Sequence, residues 1–532
     1  MLNLLNGESK SITSAALIVG AASLFSRVIG LLRDRILAGE FGAGESLDIY
    51  YAAFRIPDFL FTLLIIGALS AGFIPIFARL IHEDVHRGWA FAGAVMHVTI
   101  VSIGVLALLL FIAAPIFTPY LVPGFTLEAR GTTVLMTRIM LLSPLFLGVS
   151  AVLGGILQTM KRFFVNAIAP VFYNIGIIIG ALFFVPHMGL PGLAWGVVLG
   201  AGMHAFIQVP SVLRLGFRYQ SAIAFRDSEL RNIIRLMLPR IGALAVTQLT
   251  LVAMTIIAST LARGSLTIFN FANNIQSVPI GIFGVTYAIA AFPTLTEYIV
   301  NRDTHGFVRT FSAAVRQMLF FLIPATILLI VARAQIVRAV LGSGVFDWED
   351  TAHTFNTLAV FAFGMFAAAL SYVVVRGFWA HEDTRTPAWI AIAGAVVSIT
   401  LGIVAAPRFG VEGLAGAVAI GNIVQLACGW IFLRQYSHGL AEGTIVWSLA
   451  KMSIAAAVMA VGAQAVKTIV GERFGTETLP AILLQGGGAI IVGIALYVCV
   501  SWILRSSELA TFHAGIRRRV TPRPEQLELF EQ

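Results

Sequence analysis

The chain has 532 residues, 58% of them hydrophobic and only 11% charged, with 35 Lys and Arg against 26 Asp and Glu for a formal net charge of +9. Soluble domains carry about 25% charged residues, so this composition excludes an ordinary soluble enzyme and points to an all-α polytopic membrane protein. The positive excess lies in short loops and the tail, which excludes a nucleic-acid-binding face and fits the positive-inside pattern instead.

In chain order, the N-terminus holds one lysine, Lys10, ahead of a charge-studded apolar stretch; this differs from a cleavable signal peptide, and the segment is expected to stay attached. Apolar windows of about twenty residues predict roughly fourteen spans. They fall at 12–37, 47–78, 90–117, 132–157, 164–186, 190–213, 232–261, 265–299, 310–332, 354–380, 386–406, 411–433, 445–467 and 480–504. An even number puts both ends on one side. Loops on that side carry or border more basic residues, among them Arg79, Arg87, Lys161, Arg162, Arg214 and Arg218, so both termini are expected in the cytoplasm.

The first two spans contain or border Arg27, Arg33, Asp34, Arg35, Asp48, Arg55 and Asp58. A charge at the centre of a spanning helix costs roughly 2.5–3.5 kcal/mol, so such residues face a wet cavity or a partner, or else sit at helix ends and reach to headgroups. Cationic side chains so placed suit an anionic guest. Arg27 and Asp34 are seven apart and share a helix face, whereas Arg33 points about 120° from Arg27. Gly30 is where a bend or local unwinding is expected, and Pro57 should kink or interrupt the second helix after Arg55.

A weak internal repeat organises the rest. SLDIYYAAFRIPDF at Ser46 aligns with SLTIFNFANNIQSV at Ser265, and LPGLAWGVVLGAG at Leu190 with VEGLAGAVAIGNI at Val411, at a displacement of about 220 residues. Two six-helix lobes in parallel pseudo-twofold repeat are expected, 1–213 and 232–436, with a substrate site between them and a cytoplasmic linker at 214–231. The linker suits either an interfacial segment or a solvated connection. A helix pair at 445–504 falls outside the duplication and either seals the outer surface or docks a lipid chain; a tail follows at 505–532. In the second lobe Asn270, Asn273, Asn274 and Gln276 stand where the first lobe has charges; they line a cavity or join helices, and Arg240 either adds positive charge to that cavity or anchors at headgroups.

Enzyme and cofactor motifs are missing: there is no Gly-x-x-x-x-Gly-Lys-Ser/Thr loop, no His-Glu-x-x-His and no Cys-x-x-Cys, and Cys428 and Cys499 sit in apolar segments. A non-enzymatic transporter with no bound cofactor, driven by an ion gradient, a membrane potential or a partner rather than ATP, is therefore expected.

FSRVIGLLRD at Phe25, FGAGESLDIYYAAFRIPDFL at Phe41, GALSAGFIPIF at Gly67, NAIAPVFYNI at Asn166 and SVPIGIFGV at Ser277 give a chain that resembles the lipid II flippase family, MurJ or MviN, of the multidrug/oligosaccharidyl-lipid/polysaccharide exporter superfamily. The resemblance implies translocation of lipid II, a pyrophosphate-linked peptidoglycan precursor, from the cytoplasmic to the outer leaflet by alternating access, among membrane lipids and alongside cell-wall synthesis proteins. It implies substrate-binding roles for Arg27, Arg33, Asp48 and Arg55, and a groove for the isoprenoid tail in the final helix pair. Family arginines fall on Phe61 and Asn274 here and an aspartate on Asn273, and an acidic sodium site of some members has no counterpart in the seventh, eleventh and twelfth spans. A sugar-lipid or drug exporter of the same superfamily, or a non-transporting cell-wall scaffold, is the alternative.

Overall fold

The computed structural model describes residues 12–63, 72–219, 228–437, 439–475 and 478–520, the side chains of 12–19, 228–243 and 515–520 excepted. Every regular element among them is helical. Among them are α1 (Ile12–Phe41), α2 (Glu45–Phe61), α3 (Ile74–Glu83), α4 (Val85–Leu121), α5 (Leu127–Met140), α6 (Ser143–Thr159), α7 (Phe163–Ile179), α8 (Pro191–Phe206), α9 (Val209–Arg214) and α10 (Ser228–Ser259). Then come α11 (Ser265–Pro279), α12 (Thr286–Val300), α13 (Thr304–Val331), α14 (Arg333–Val340), α15 (Trp348–Ala380), α16 (Arg385–Ser437), α17 (Glu442–Phe474), α18 (Leu479–Ile503) and α19 (Ser507–Val520).

Ten helical stretches among the described residues are long and apolar enough to cross a bilayer, which makes this a multi-pass membrane protein. One of them, α16, is broken at Gly410, whose φ of 60° and ψ of −145° leave the helical region, and so holds both expected spans 386–406 and 411–433. The expected spans 12–37, 47–78 and 232–261 fall on helices outside these ten, and residues 64–71, which include most of the GALSAGFIP motif, lie outside the described residues.

The chain divides into two compact units, one of Met1–Phe271, Val340–Thr351 and Ile399–Leu414, the other of Ala272–Ala339, Ala352–Ser398 and Ala415–Gln532. In the first, α1 packs on α7, α2 on α5, and α6 and α7 both on α8. Its aromatic centre stacks Phe73 on Phe77 at 5.3 Å and on Phe91 at 6.0 Å, and Phe61, at a family arginine position, packs against this core. The α7–α8 crossing is set by glycine. A Cβ at Gly176 would lie 2.2 Å from Gly200 Cα, and one at Gly180 would lie 2.5 Å from Gly196 Cα, so the two backbones touch as small-residue stripes allow in lipid.

Neither Gly30 nor Pro57 interrupts its helix. At Gly30, α1 runs on as regular helix, and the space its missing side chain leaves is met by Asn174 Nδ2, 3.9 Å from where a Cβ would stand. At Pro57, α2 continues to Phe61. The ring deprives Ala53 O of its i+4 donor, and the buried Thr137 hydroxyl of α5 supplies a substitute at 3.4 Å. The pattern recurs. Pro115 in α4 frees Phe111 O, which Arg138 Nε of α5 takes at 3.0 Å.

In the second unit, Pro324 in α13 frees Phe320 O, which Tyr497 Oη of α18 takes at 3.0 Å. Here α17 and α18 pack together and on α13. Lys467 Nζ donates to Val331 O at 2.8 Å, and Gln335 Nε2 to Gln485 Oε1 at 2.8 Å. The start of α19 is pinned by Glu508, which accepts from Arg316 Nη1 at 2.9 Å, Ser448 Oγ at 2.9 Å and Ser506 Oγ at 2.8 Å.

Candidate functional site

The charged residues of α1 and α2 lie in the first unit, and Arg33, Asp48, Arg55 and Asp58 are held there by polar groups of other helices or by a neighbouring carboxylate. Arg33 Nε and Nη2 donate to Asp34 Oδ1 at 3.0 and 2.7 Å, and Nη1 donates to Asn174 Oδ1 of α7 at 3.0 Å. Asn174 is fixed in turn by its Nδ2 on Pro170 O at 3.1 Å. Arg33 therefore points into the protein instead of out to headgroups: its side chain is 21% exposed and its carboxylate partner's 4%. With three of its five N–H donors engaged, two remain for a ligand.

Arg55 is buried. Its Nε donates to Thr255 Oγ1 of α10 at 3.0 Å and its Nη2 to Asn270 Oδ1 of α11 at 3.3 Å. Both oxygens are neutral and both are oriented, because Thr255 Oγ1 donates onward to Leu251 O and Asn270 Nδ2 to Leu266 O. Asp58, one turn along α2, accepts from Gln248 Nε2 at 3.3 Å. Tyr51, one turn before Arg55, presents a buried hydroxyl with no partner among the described residues, its ring edge-on to Phe271 at 6.0 Å. A buried Arg55 on two neutral oxygens, an Arg33 with N–H donors to spare beyond its ion pair with Asp34, and an unsatisfied Tyr51 hydroxyl suit a multiply charged oxyanion.

Asp48 is buried and faces another helix end. Its Oδ2 accepts from Gly264 N at 2.7 Å, and its Oδ1 from Thr267 N at 2.8 Å and Thr267 Oγ1 at 2.7 Å. It thus caps α11 in trans, neutralising the positive end of that helix. A second carboxylate acts nearby in sequence: Asp350 Oδ2 accepts from Ala43 N at 2.9 Å, while Val345 N donates to Gly39 O at 2.9 Å and Ser343 Oγ to Arg35 O at 3.0 Å. These bonds join the end of α1 and the start of α2 to the segment 343–350.

The remaining sequence candidates are less gathered. Arg27 is half-buried on α1 and has no hydrogen bond or ion pair with another described residue. Asn273 and Asn274 are half-buried in the second unit, where Asn273 Oδ1 accepts from Gln276 Nε2 at 3.1 Å. The side chain of Arg240 lies outside the described residues. Sequence reasoning missed Asn174, Thr255, Gln248 and Thr267. Each is a polar residue within or at the end of an apolar span, and that oddity was the available signal.

The description of the family whose model matches residues 37–485 is "Lipid II flippase MurJ". A probable lipid II flippase MurJ of Vibrio cholerae is 30% identical over 85% of this chain and 88% of its own length. The lipid II flippase MurJ of Burkholderia cenocepacia is 28% identical over 81% of this chain and 85% of its own. Among solved structures, one described as lipid II flippase MurJ in an inward closed conformation superposes with a TM-score of 0.76 at 24% identity, covering 92% of this chain and 98% of that one. An inward-facing multidrug resistance MATE family transporter of the MOP superfamily gives 0.67 at 16% identity over 80% of this chain and 99% of that one, so the helical fold is shared more widely.

Proposed function

Since the chain belongs to the lipid II flippase MurJ family, we propose that it carries lipid II from the cytoplasmic to the outer leaflet by alternating access, its pyrophosphate received by Arg33, Arg55 and Arg27. The observation that carries the site assignment is the pair of inward-held guanidiniums, Arg33 on Asn174 and Arg55 on Thr255 and Asn270. Arg55, buried with neutral oxygens as its hydrogen-bond partners, is under-compensated, Arg33 keeps N–H donors beyond its ion pair with Asp34, and an arriving diphosphate supplies charge to both. Arg27, with no described partner, is the first cation free to meet it.

In this reading the bonds of Asp48 to the start of α11 and of segment 343–350 to α1 and α2 hold one end of the pathway shut. They break when the substrate drives the change of state, and substrate binding biases the equilibrium by its differential affinity for the two states. The tail stays in lipid along α17 and α18, where Val458, Val461, Gly462 and Leu496 line a shallow apolar groove. The protein works as a transporter in the bacterial plasma membrane with both termini cytoplasmic, near cell-wall synthesis proteins. Without an ATP motif its drive is an ion gradient or the membrane potential.

The test is lipid II headgroup translocation in proteoliposomes, with and without an imposed potential, for the native protein and for Arg33→Ala combined with Arg55→Ala. Translocation by the native protein and its loss in the double variant are expected. Undiminished translocation by the double variant overturns the site, and no translocation of lipid II by the native protein under any condition overturns the function.

A further inference from the structure

The end of α18 and the start of α19 enclose a space with no part in this scheme. The two helices meet at Arg505, whose φ of 50° turns the chain, and the elbow between them holds a cavity of about 1120 Å³. Each wall is one stripe of its helix. On α18 the lining residues Ala495, Val498, Cys499 and Trp502 stand at i, i+3, i+4 and i+7. Ser506, Leu509, Ala510 and His513 repeat that spacing into α19. The elbow is distinct from the tail groove on α17 and α18, since Leu496 of that groove lies about 100° round the helix from Ala495.

The elbow opens away from the protein, because the opposite faces of both helices are spent on it. On α18, Gly493, Tyr497 and Ser501 are buried, and Tyr497 bonds Phe320 O of α13. On α19, Glu508 is held by Arg316 and Ser448, and Phe512 sets its ring edge-on to Phe321 at 5.3 Å. By contrast Ala495, Val498, Cys499 and Trp502 are exposed, Trp502 at 73%. Since α18 is long and apolar enough to cross the bilayer and ends at Ile503, this stripe meets acyl chains and Trp502 stands at headgroup level.

Charge at the rim decides what fills the space. Arg505 and His513 line it, both exposed and neither with a hydrogen bond or ion pair to another described residue. Glu508 is 4% exposed and committed to Arg316, Ser448, Ser506 and Ser507. From Arg505 to Val520 the sequence has four arginines against that one acid. An apolar wall reached by acyl chains, ending at an uncompensated guanidinium beside an imidazole, fits a phospholipid of net negative charge. A zwitterionic lipid brings its own cation to a rim already positive, and a free phosphate gains nothing from the apolar wall.

We propose that the α18–α19 elbow is a binding site for one anionic phospholipid of the leaflet in which α18 ends, its phosphate on Arg505 and His513 and an acyl chain along Val498, Cys499 and Trp502. The site stands whether or not the flippase reading does.

Trp502 reports on the site directly. The full chain is reconstituted in bilayers of equal phosphatidylglycerol and phosphatidylcholine, one or the other carrying bromine on its acyl chains, which quenches tryptophan on contact. Subtracting the same measurement on Trp502→Phe isolates Trp502 from the other tryptophans. One arginine at a membrane surface favours an anionic lipid by about fivefold, so brominated phosphatidylglycerol should occupy the site about five times as readily as brominated phosphatidylcholine. Arg505→Gln should be quenched equally by both, and Arg505→Lys should keep the preference. Equal quenching of the native protein by the two lipids, the result for bulk lipid passing over the surface, overturns the proposal. So does a preference that survives in Arg505→Gln. The substrate is the rival occupant: if lipid II added at one per protein relieves the quenching, the elbow belongs to its tail and the phospholipid assignment falls, whereas unchanged quenching supports it.

Discussion

Replacing Asp48 with alanine removes the acceptor of three donors at once: Gly264 N, Thr267 N and Thr267 Oγ1, all within 2.8 Å of the carboxylate. Each buried bond contributes about 1 kcal/mol net, and the negative charge at the start of α11 adds roughly 0.5–1 kcal/mol, so local opening at this helix end becomes easier by about 3–4 kcal/mol. Amide hydrogen exchange reads this directly. In nanodiscs the Gly264 and Thr267 amides of Asp48→Ala should exchange roughly two to three orders of magnitude faster than in the native protein, by that free energy. Asp48→Asn separates the contributions. It keeps one oxygen for Thr267 but turns an NH2 group towards the Gly264 amide, so Gly264 should accelerate and Thr267 much less. Unchanged exchange at both amides in Asp48→Ala would refute the capping role, and equal acceleration at both in Asp48→Asn would refute the assignment of the two oxygens.

Other consequences follow from the same geometry. Arg33→Ala should abolish growth rescue of a flippase-depleted cell, and Arg33→Lys should rescue poorly, because an ammonium cannot reach both Asp34 and Asn174 as the guanidinium does; normal growth with alanine would remove Arg33 from the site. Asn174→Ala takes one acceptor from Arg33 and should lower translocation by about tenfold, the equivalent of one charged hydrogen bond. Gly200→Ala places a methyl 2.4 Å from Tyr173 O and should destabilise the α7–α8 pair by about 1–3 kcal/mol, read as earlier thermal unfolding in detergent. Burial alone would raise the Glu508 carboxyl, but hydrogen bonds from Ser506, its own backbone N–H, Ser448 and Ser507 outweigh it and hold the group below the usual carboxylate range. A group depressed in the folded state contributes stability above its unfolded pKa and loses it as pH falls through the folded one. Residues near α19 should therefore stay protease-resistant at neutral pH and become cleavable only in strong acid, whereas Glu508→Gln should be cleavable at neutral pH already.

Much of the site's cast was legible in the sequence. Charge is so costly in lipid that Arg33, Arg55 and Asp48 stand out against their apolar neighbours. What stayed hidden was pairing at a distance. Nothing local ties Arg33 to Asn174, 141 positions on, or Asp48 to the start of α11, 216 positions on at Gly264. Nor does anything local tie the carbonyl that Pro57 frees, on Ala53, to the Thr137 hydroxyl of another helix.

Three of the carbonyls that helix prolines release, on Ala53, Phe111 and Phe320, are tied sideways to another helix and carry a mechanical consequence. An ordinary helix can flex only by stretching its own ladder, a change that spreads along the rod and resists. At these rungs the ladder already has a gap, and the tie runs sideways through a single hydroxyl or guanidinium. Undoing it costs one bond, leaves the turns above and below intact, and lets the rod articulate there like a jointed strut. Protein and lipid reshaping in a transporter need such places, and this chain marks three of them with a proline.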